Sequence, residues 1–389
     1  MTRDLKLLMV SMFFWGAGEG LFIYLYPVYL EQLGANPVAI GSVMSLSALV
    51  LAGAHIPAGW LADRFGRKRV MAGGWVVGCT ATLCMFLAPS LAWFVPGLVL
   101  YVFTGYVISP MCAYITEARG TLSVQRALTL NSAFYAAGTL FSPALGGQIA
   151  RGLGLRSVFA ISLVIFLVST GLIFKLNRQP VAAPHAGVNR YGKLLANRRF
   201  VSLMLLAFAA AMAFQIGFPL APNFLADVRH YDVALIGLLG SFNALGITVL
   251  SVALGHRPPR GAFMVAQGLM ALSLGLLLSQ SGLGWMALVY FFRGSWSLAR
   301  NMTSTQVGQV VDQPELGLAY GVTETVLALT LILGPLAAGF LYARVPSLPF
   351  QISLVLLVVT IPLVWAFAPR APAPAPDLAG GLPVDEPEG

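Results

Sequence analysis

Three ionisable side chains, Glu19, Arg293 and Glu324, stand inside long apolar runs of this chain, and chemistry is most expected there. A charge at bilayer depth costs several kcal/mol unless it is paired or faces water, so such groups mark binding or ion-translocating sites. Glu19 is flanked by Gly16, Gly18 and Gly20, which let water or a neighbouring helix come close to its carboxyl. A low dielectric favours the protonated acid, so Glu19 reads as a carboxyl that takes up and releases a proton. The competing reading is a packing contact across a helix interface. Arg293 and Glu324 are the other two candidate proton-coupling groups. His55 titrates near neutral pH in principle, but a lone histidine reads as a hydrogen-bonded helix contact. Other chemistry lacks its residues: there is no His-Glu-x-x-His, no nucleophile elbow and no complete Gly-x-x-x-x-Gly-Lys-Ser/Thr. Cys79, Cys84 and Cys112 lie in apolar runs without disulfide or metal-ligand spacing. An enzyme, a bound metal and a cofactor are therefore not expected, and an ATP-driven pump is excluded by the missing nucleotide domain.

Positioning these groups requires helices that cross a bilayer. The chain is 58% hydrophobic and 10% charged, with a mean hydropathy of +0.82, whereas about a quarter of a soluble protein's residues are charged. Runs of spanning length fall near 5–30, 38–60, 69–88, 91–115, 127–150, 157–176, 200–225, 233–255, 262–280, 283–300, 316–342 and 347–368, each able to cross a core of about 30 Å. These twelve runs predict an all-α polytopic membrane protein with both termini on one side. The first is too long for a signal-peptide core, so it is expected to be retained. The net charge of +9 raises the question of nucleic acid, but the basic residues are spread over short loops instead of forming one face. Arg64, Arg67, Lys68, Arg69, Arg119, Arg126, Lys175, Arg178, Arg190, Lys193, Arg198, Arg199, Arg257, Arg260 and Arg300 share the side of the termini, against Arg151, Arg156, Arg229 and Arg344 on the other. The positive-inside rule then predicts a plasma (inner) membrane protein with cytoplasmic termini.

One polar stretch, Gly59-Trp60-Leu61-Ala62-Asp63-Arg64-Phe65-Gly66-Arg67-Lys68-Arg69, separates the second and third runs and reads as a tight cytoplasmic turn. It resembles the signature loop between helices 2 and 3 of the major facilitator superfamily. The resemblance implies that Gly59 lets helix 2 approach helix 11, and that Asp63 sits at the start of helix 11, where a helix dipole favours a carboxylate. With Arg64, Gly66 and Arg67, and with Glu117, Arg119 and Arg126 at the inner end of helix 4, these residues make up the expected cytoplasmic gate.

The two halves of the chain echo each other. Pro27-Val-Tyr-Leu with Ile40-Gly41 matches Pro222-Asn-Phe-Leu with Ile236-Gly237; Leu61–Arg67 matches Leu254–Arg260; Pro143-Ala-Leu-Gly-Gly matches Pro335-Leu-Ala-Ala-Gly, all at offsets of 192 to 196 residues. Three matches at nearly one offset predict two six-helix pseudo-repeats in parallel orientation, independently of the resemblance. The expected domains are an N-terminal bundle 1–176, a cytoplasmic linker 177–199, a C-terminal bundle 200–368 and a disordered tail 369–389. The second copy of the signature loop carries His256 where the first has Asp63.

Gly138, Ser142, Pro143, Gly146 and Gly147 on helix 5 resemble the motif of the drug:proton antiporter branch, where small residues and a proline allow close packing and a pivot. Ser142 replaces the usual glycine, and the fourth run lacks the embedded arginine of that branch. The family fold also makes helices 10 and 11 neighbours, so Arg293 and Glu324 are expected as a pair, either fixed or opened by substrate or by protonation of Glu324. Phe22, Tyr24, Tyr106, Asn131, Tyr135, Gln215, Asn243 and Tyr290 are the candidates for an apolar substrate cavity with a few polar anchors.

Taken together, the residues and the resemblance imply a secondary transporter working by alternating access. Its expected partners are a small-molecule substrate, protons and membrane lipid, and a monomer is implied. Proton-coupled efflux of a small amphipathic or lipophilic compound is the leading activity. A proton symporter importing a sugar or organic metabolite, and a lipid flippase or non-transporting sensor, are the alternatives.

Overall fold

The computed structural model describes residues 1–179, 194, 196–311 and 316–367; among these the regular structure is helical throughout. The helices are α1 (Arg3–Phe22), α2 (Tyr26–Gln32), α3 (Pro37–Phe65), α4 (Arg67–Leu87), α5 (Leu91–Phe103), α6 (Ile108–Ala118), α7 (Val124–Leu153), α8 (Leu155–Phe174), α9 (Arg198–Ile216), α10 (Ala221–Asp227), α11 (Val233–Leu254), α12 (Pro259–Ser279), α13 (Leu283–Arg293), α14 (Ser295–Val310), α15 (Leu316–Arg344) and α16 (Leu348–Phe367). Four pairs stack end to end, α1–α2, α5–α6, α9–α10 and α13–α14, so the described helices make twelve rods running alternately up and down. We refer to the end carrying Met1 as the near end and the other as the far end. Ten segments are long and apolar enough to cross a membrane. Outside that set lie α7, with its many polar and small residues, and the rod α13–α14, which breaks at Gly294.

The four interrupted rods are the first, fourth, seventh and tenth. They recur every third rod, and the same positions return in each half of the chain. Breaks free backbone groups that hydrocarbon cannot satisfy, so they are tolerated only where protein or water meets them. Hydropathy gives no sign of these breaks. It also misplaces the turn after the second run. The stretch expected to be a loop is helical as far as Phe65, and Gly66 alone makes the reversal. Its φ of 88° lies in the left-handed region that glycine adopts without a Cβ clash. Parts of the expected linker, 180–193 and 195, and the expected tail beyond 367 lie outside the described residues.

Helices in lipid gain little from the hydrophobic effect against each other, so close backbone approach carries the packing. In the first half α1 lies along α7. A Cβ on Gly146 would overlap the Leu21 carbonyl, and one on Gly138 would overlap the carbonyl of Phe13. Trp15, Tyr101, Phe166, Phe22 and Phe159 then fill the space between α1, α5 and α8 in stacked and edge-on pairs 4.4 to 6.2 Å apart. The second half has its own aromatic contact, with Phe224 of α10 4.9 Å from Phe350 of α16.

The halves meet along two seams, α3 against α15 and α7 against α11. At the far end Gly41 abuts the Pro335 carbonyl, and Gly147 lies against the carbonyls of Val233 and Ala234. Pro143 removes a donor from α7, and next to it the Ala144 amide donates to Ser241 Oγ at 3.1 Å across the seam. The hydrogen bonds and ion pairs seen between the halves, Tyr24 to Asn243, Ala144 to Ser241, Asn223 to Pro27 and Glu31, and Arg151 to Asp232, lie at mid-depth or farther out. This arrangement is closed at the far end.

The α1–α7 contact gives a direct test. Gly146→Ala places a methyl group on the Leu21 carbonyl, at a cost of about 1–3 kcal/mol for overpacking. The melting temperature of the detergent-purified protein should fall by roughly 3–10 °C. Gly152→Ala, on the same helix with open space around it, should leave it unchanged.

Candidate functional site

The centre of the bundle holds two ionisable groups on opposite sides of the seam, one partly accessible and one buried. On the first side Glu19 projects from α1, partly accessible to solvent, and its Oε2 accepts a hydrogen bond of 3.0 Å from the Tyr135 hydroxyl of α7. The glycines beside it do the positioning: a Cβ on Gly16 would strike the Tyr135 carbonyl and one on Gly20 the Ser142 hydroxyl. Tyr101 lies beside the same carboxyl. Among the described residues no Lys, Arg or His forms an ion pair with Glu19. An ionised carboxylate held there has no ion-pair partner among the described residues, so whenever water is excluded from it the charge goes uncompensated. A protonated one carries no charge to compensate.

On the second side Arg293 ends α13, 2% exposed. Its guanidinium lies 3.7 Å from the centre of the Phe218 ring and 4.5 Å from that of Tyr290. Its Nη2 donates to the Phe218 carbonyl at 3.2 Å. Glu324, its expected partner, is elsewhere. Glu324 accepts from Arg300 Nη2 at 2.6 Å, and both side chains are about half exposed. The expected Arg293–Glu324 pair is thus replaced by Arg300–Glu324, because the helix that carries Arg293 restarts after Gly294 and brings Arg300 of α14 to face α15.

Between the two groups runs a polar bridge. Tyr24, just past the end of α1, donates its hydroxyl to Asn243 Oδ1 of α11 at 2.7 Å, and Asn243 Nδ2 donates to the Tyr290 carbonyl at 2.9 Å. A Cβ on Gly240 would collide with the Tyr24 ring. Of the eight cavity candidates, Tyr24, Tyr135, Asn243 and Tyr290 therefore converge on the centre. The other four are placed elsewhere. Phe22 is wholly buried in the aromatic core of the first half. Tyr106 bonds back to the Val70 carbonyl at 3.3 Å, Asn131 faces Met111 Sδ at 3.9 Å, and Gln215 packs against Gly334 of α15. Phe22 and Tyr106 pack within the first half, whereas Asn131 Oδ1 is buried without a partner among the described residues. Phe218 and Trp15 were not singled out by the sequence, because neither stands out from the many aromatics around it.

Toward the near end of the second half lies an apolar recess lined by Ala207, Ala211, Phe214, Phe263, Trp296 and Leu327, with Arg300 and Thr303 as its polar lining. On the near surface of the first half, Arg67 pairs with Glu117 and also donates to the Ala113 carbonyl at 3.2 Å. Arg119 turns back to the Thr116 carbonyl, Arg126 is exposed, and Arg64 lies 5.8 Å from the Phe65 ring centre. The surroundings of Gly59, Asp63 and His55 on α3 lie outside the described residues. The helix 5 motif packs on both neighbours, Gly138 and Gly146 on α1, Gly147 on α11, with Ser142 buried against Gly20 and the Pro143 carbonyl against Gly237.

Comparison with known proteins gives this architecture a family. Residues 8–299 and 203–385 match the family model described as Major Facilitator Superfamily. An uncharacterized MFS-type transporter of Methanocaldococcus jannaschii is 19% identical over 88% of this chain and 92% of its own length. A multi-drug resistance efflux pump PmrA homolog of Lactococcus lactis is 28% identical over 51% of this chain, a match that spans 49% of the pump. In structure, a variant of the nucleoside transporter NupG superposes with a TM-score of 0.81 at 14% identity, covering 94% of this chain and all of its own. Twelve helical rods in two repeated halves, a matching family model along the length of the chain and transporter folds among its relatives together make this chain an integral membrane transporter of the major facilitator superfamily.

Proposed function

We propose that the chain exports small amphipathic or lipophilic compounds in exchange for protons, with Glu19 as the proton acceptor. The observation that carries this reading is the Glu19 carboxyl itself: partly accessible, bonded to Tyr135 at 3.0 Å and without a cationic partner among the described residues. A group so placed changes charge between a watered and a sealed state, and this is what coupling to a proton gradient requires. The efflux-pump relative agrees with this reading in kind.

In this reading the near end faces the cytoplasm, following the basic residues of its loops. The conformation closed at the far end is then the inward-open one. Bundles 1–176 and 200–368, joined by the linker 177–199, rock about the centre, with Tyr24 and Asn243 parting when the far end opens. Arg67 and Glu117 belong to the gate that forms on the cytoplasmic side. The unit is a monomer in the plasma membrane.

The experiment is substrate flux in proteoliposomes under an imposed pH gradient. Glu19→Gln should abolish gradient-driven flux, at least a hundredfold, while the purified protein still binds compound. Gradient-driven flux at the wild-type rate in Glu19→Gln overturns the assignment. Net accumulation of substrate on the side that protons enter would favour the symporter instead.

A second expectation concerns the bridge. Tyr24→Phe removes one hydrogen bond between the halves, worth about 1 kcal/mol, and should shift the balance between far-closed and far-open states roughly fivefold toward far-open. Alkylation of a cysteine introduced beside Asn243, entered from the far side, should speed up by about that factor.

A further inference from the structure

The far ends of the two halves are joined by a polar cluster that the transport cycle above does not use. It gathers Glu31 of α2, Asn223 and Asp227 of α10, and Tyr342 of α15. Asn223 is 1% exposed. Its Nδ2 donates to the Pro27 carbonyl at 3.2 Å and to Glu31 Oε2 at 2.6 Å, so one amide ties the first half to the second. With two acceptors facing it, that atom must be the nitrogen, which leaves Asn223 Oδ1 as a buried acceptor without a partner. Tyr342, nearly as buried, donates its hydroxyl to Asp227 Oδ2 at 2.8 Å. The carboxyls of Glu31 and Asp227 lie within hydrogen-bonding reach of each other.

Donors and acceptors do not balance in this cluster. Two ionised carboxylates are acceptors only, and the Asn223 Oδ1 adds another. The side-chain donors at hand, Asn223 Nδ2 and the Tyr342 hydroxyl, are both already spent. Two carboxylates facing each other repel; a proton on either one turns the contact into a direct hydrogen bond, whereas solvent at the exposed Asp227 can bridge them only through water. Among the described residues no cation takes its place. Arg229 sends its guanidinium to the carbonyls of Leu277 and Leu278, Arg151 lies 3.8 Å from Asp232, and Arg344 and His230 form no ion pair with either acid. The facing outer ends of α3, α9 and α16 bring no charged side chain to this level.

We propose that Glu31 and Asp227 together form a proton-binding site at the far seam, in which one proton shared between the two carboxyls clasps the halves shut. Asp227 is exposed, so the proton is exchanged with the far compartment and not with the central cavity. The proton turns a like-charge contact into a hydrogen bond; its loss leaves two carboxylates facing each other across the seam. Burial, together with the charge of Asp227, pushes the Glu31 carboxyl up from its ordinary range, against the opposing bond from Asn223; Glu31 itself lies outside the spanning segments Arg3–Phe22 and Pro37–Ala54. The sign follows. An acid held more basic in the closed state than in the open, solvated one stabilises closure while it is protonated. That stabilisation is complete at acid pH and is lost as pH rises from the ordinary carboxylate range through the raised value. An acidic far compartment therefore keeps the far end shut, and an alkaline one releases it. The site is separate from Glu19 and does not depend on which compound is carried.

The test uses the full chain in lipid nanodiscs, with Cys79, Cys84 and Cys112 replaced and spin labels at Gln32→Cys and Val228→Cys, exposed positions on either side of the clasp. Label-to-label distances are measured from pH 5 to pH 9. In the otherwise wild-type protein a short distance at acid pH should give way to a longer population as pH rises. Glu31→Gln and Asp227→Asn should each hold the short distance across the whole range, or move the midpoint by at least one pH unit. Glu19→Gln should keep the wild-type profile. A wild-type distance that does not respond to pH overturns the proposal, as does a profile left unchanged in both Glu31→Gln and Asp227→Asn. A response abolished by Glu19→Gln alone would assign the effect to the central carboxyl instead. Because Asp227 is exposed, Asp227→Asn serves if Glu31→Gln fails to fold. The readout is a distance, so it stands whether or not the proton-coupled export reading holds.

Discussion

The contact between α1 and α7 is the constraint on which the rest of the site depends. Inside lipid, two apolar helices have no water to escape from one another, so what joins them is dispersion between atoms that come close. Glycine and serine make that possible here: Gly16 against Tyr135, Gly20 against Ser142, Gly138 against Phe13 and Gly146 against Leu21. Glu19 sits in the middle of this contact, so the backbone approach that binds the first half also fixes the distance from its carboxyl to the Tyr135 hydroxyl. Packing and chemistry share the same residues. A wider α1–α7 spacing would leave a buried carboxyl without its donor, and that is more costly than the packing lost.

The seams between the halves are built to weaker rules, as a moving joint demands. From mid-depth to the far end they combine backbone contact at Gly41 and Gly147 with isolated polar links, Tyr24 to Asn243, Ala144 to Ser241 and Asn223 to Glu31. Each such bond is worth about 1 kcal/mol net, so a handful holds one state against another by a few kcal/mol. That is the range in which a ligand or a proton can reverse the balance. Within the first half, by contrast, Trp15, Phe22, Tyr101, Phe159 and Phe166 interlock as a tight aromatic core.

Much of this fold is legible in the sequence because hydrocarbon imposes a length on every crossing segment, and because the two halves keep prolines and glycines at one offset. Less legible were the ends and interruptions of helices. The polar stretch beginning at Gly59 looks like a loop by charge, yet Gly66 alone suffices to turn the chain and the rest is helix. The breaks near Tyr24, Thr104, Phe218 and Gly294 do not alter hydropathy. They are visible only once the rods are seen in register. Within the proposed site, Glu19 stands out in the sequence by type and setting. The partner of Glu324 does not, because it depends on how far α14 has rotated after Gly294, and no spacing rule records that rotation. Phe22 shows the converse: a residue suited to a cavity by type is turned into the core by the register of its helix.

The two central charges differ in a way that separates their roles. Arg293 cannot discharge, since a guanidinium keeps its proton in any protein setting. Its burial is offset instead by the Phe218 and Tyr290 rings, each worth up to about 2 kcal/mol when water is excluded, and by one carbonyl. That leaves Nε and Nη1 without partners, so the offset is incomplete and the second half carries a standing positive charge. Glu19 can change state, and both charges act on the hydroxyl of Tyr24 between them. With Glu19 ionised, the centre holds one charge of each sign on either side of the seam and the field across it favours contact. With Glu19 protonated, only the cation remains, and the attraction that helped hold Tyr24 and Asn243 together is gone. In the proposed proton-coupled cycle, a proton taken up at Glu19 changes the energy of the joint between halves without any side chain having to cross it.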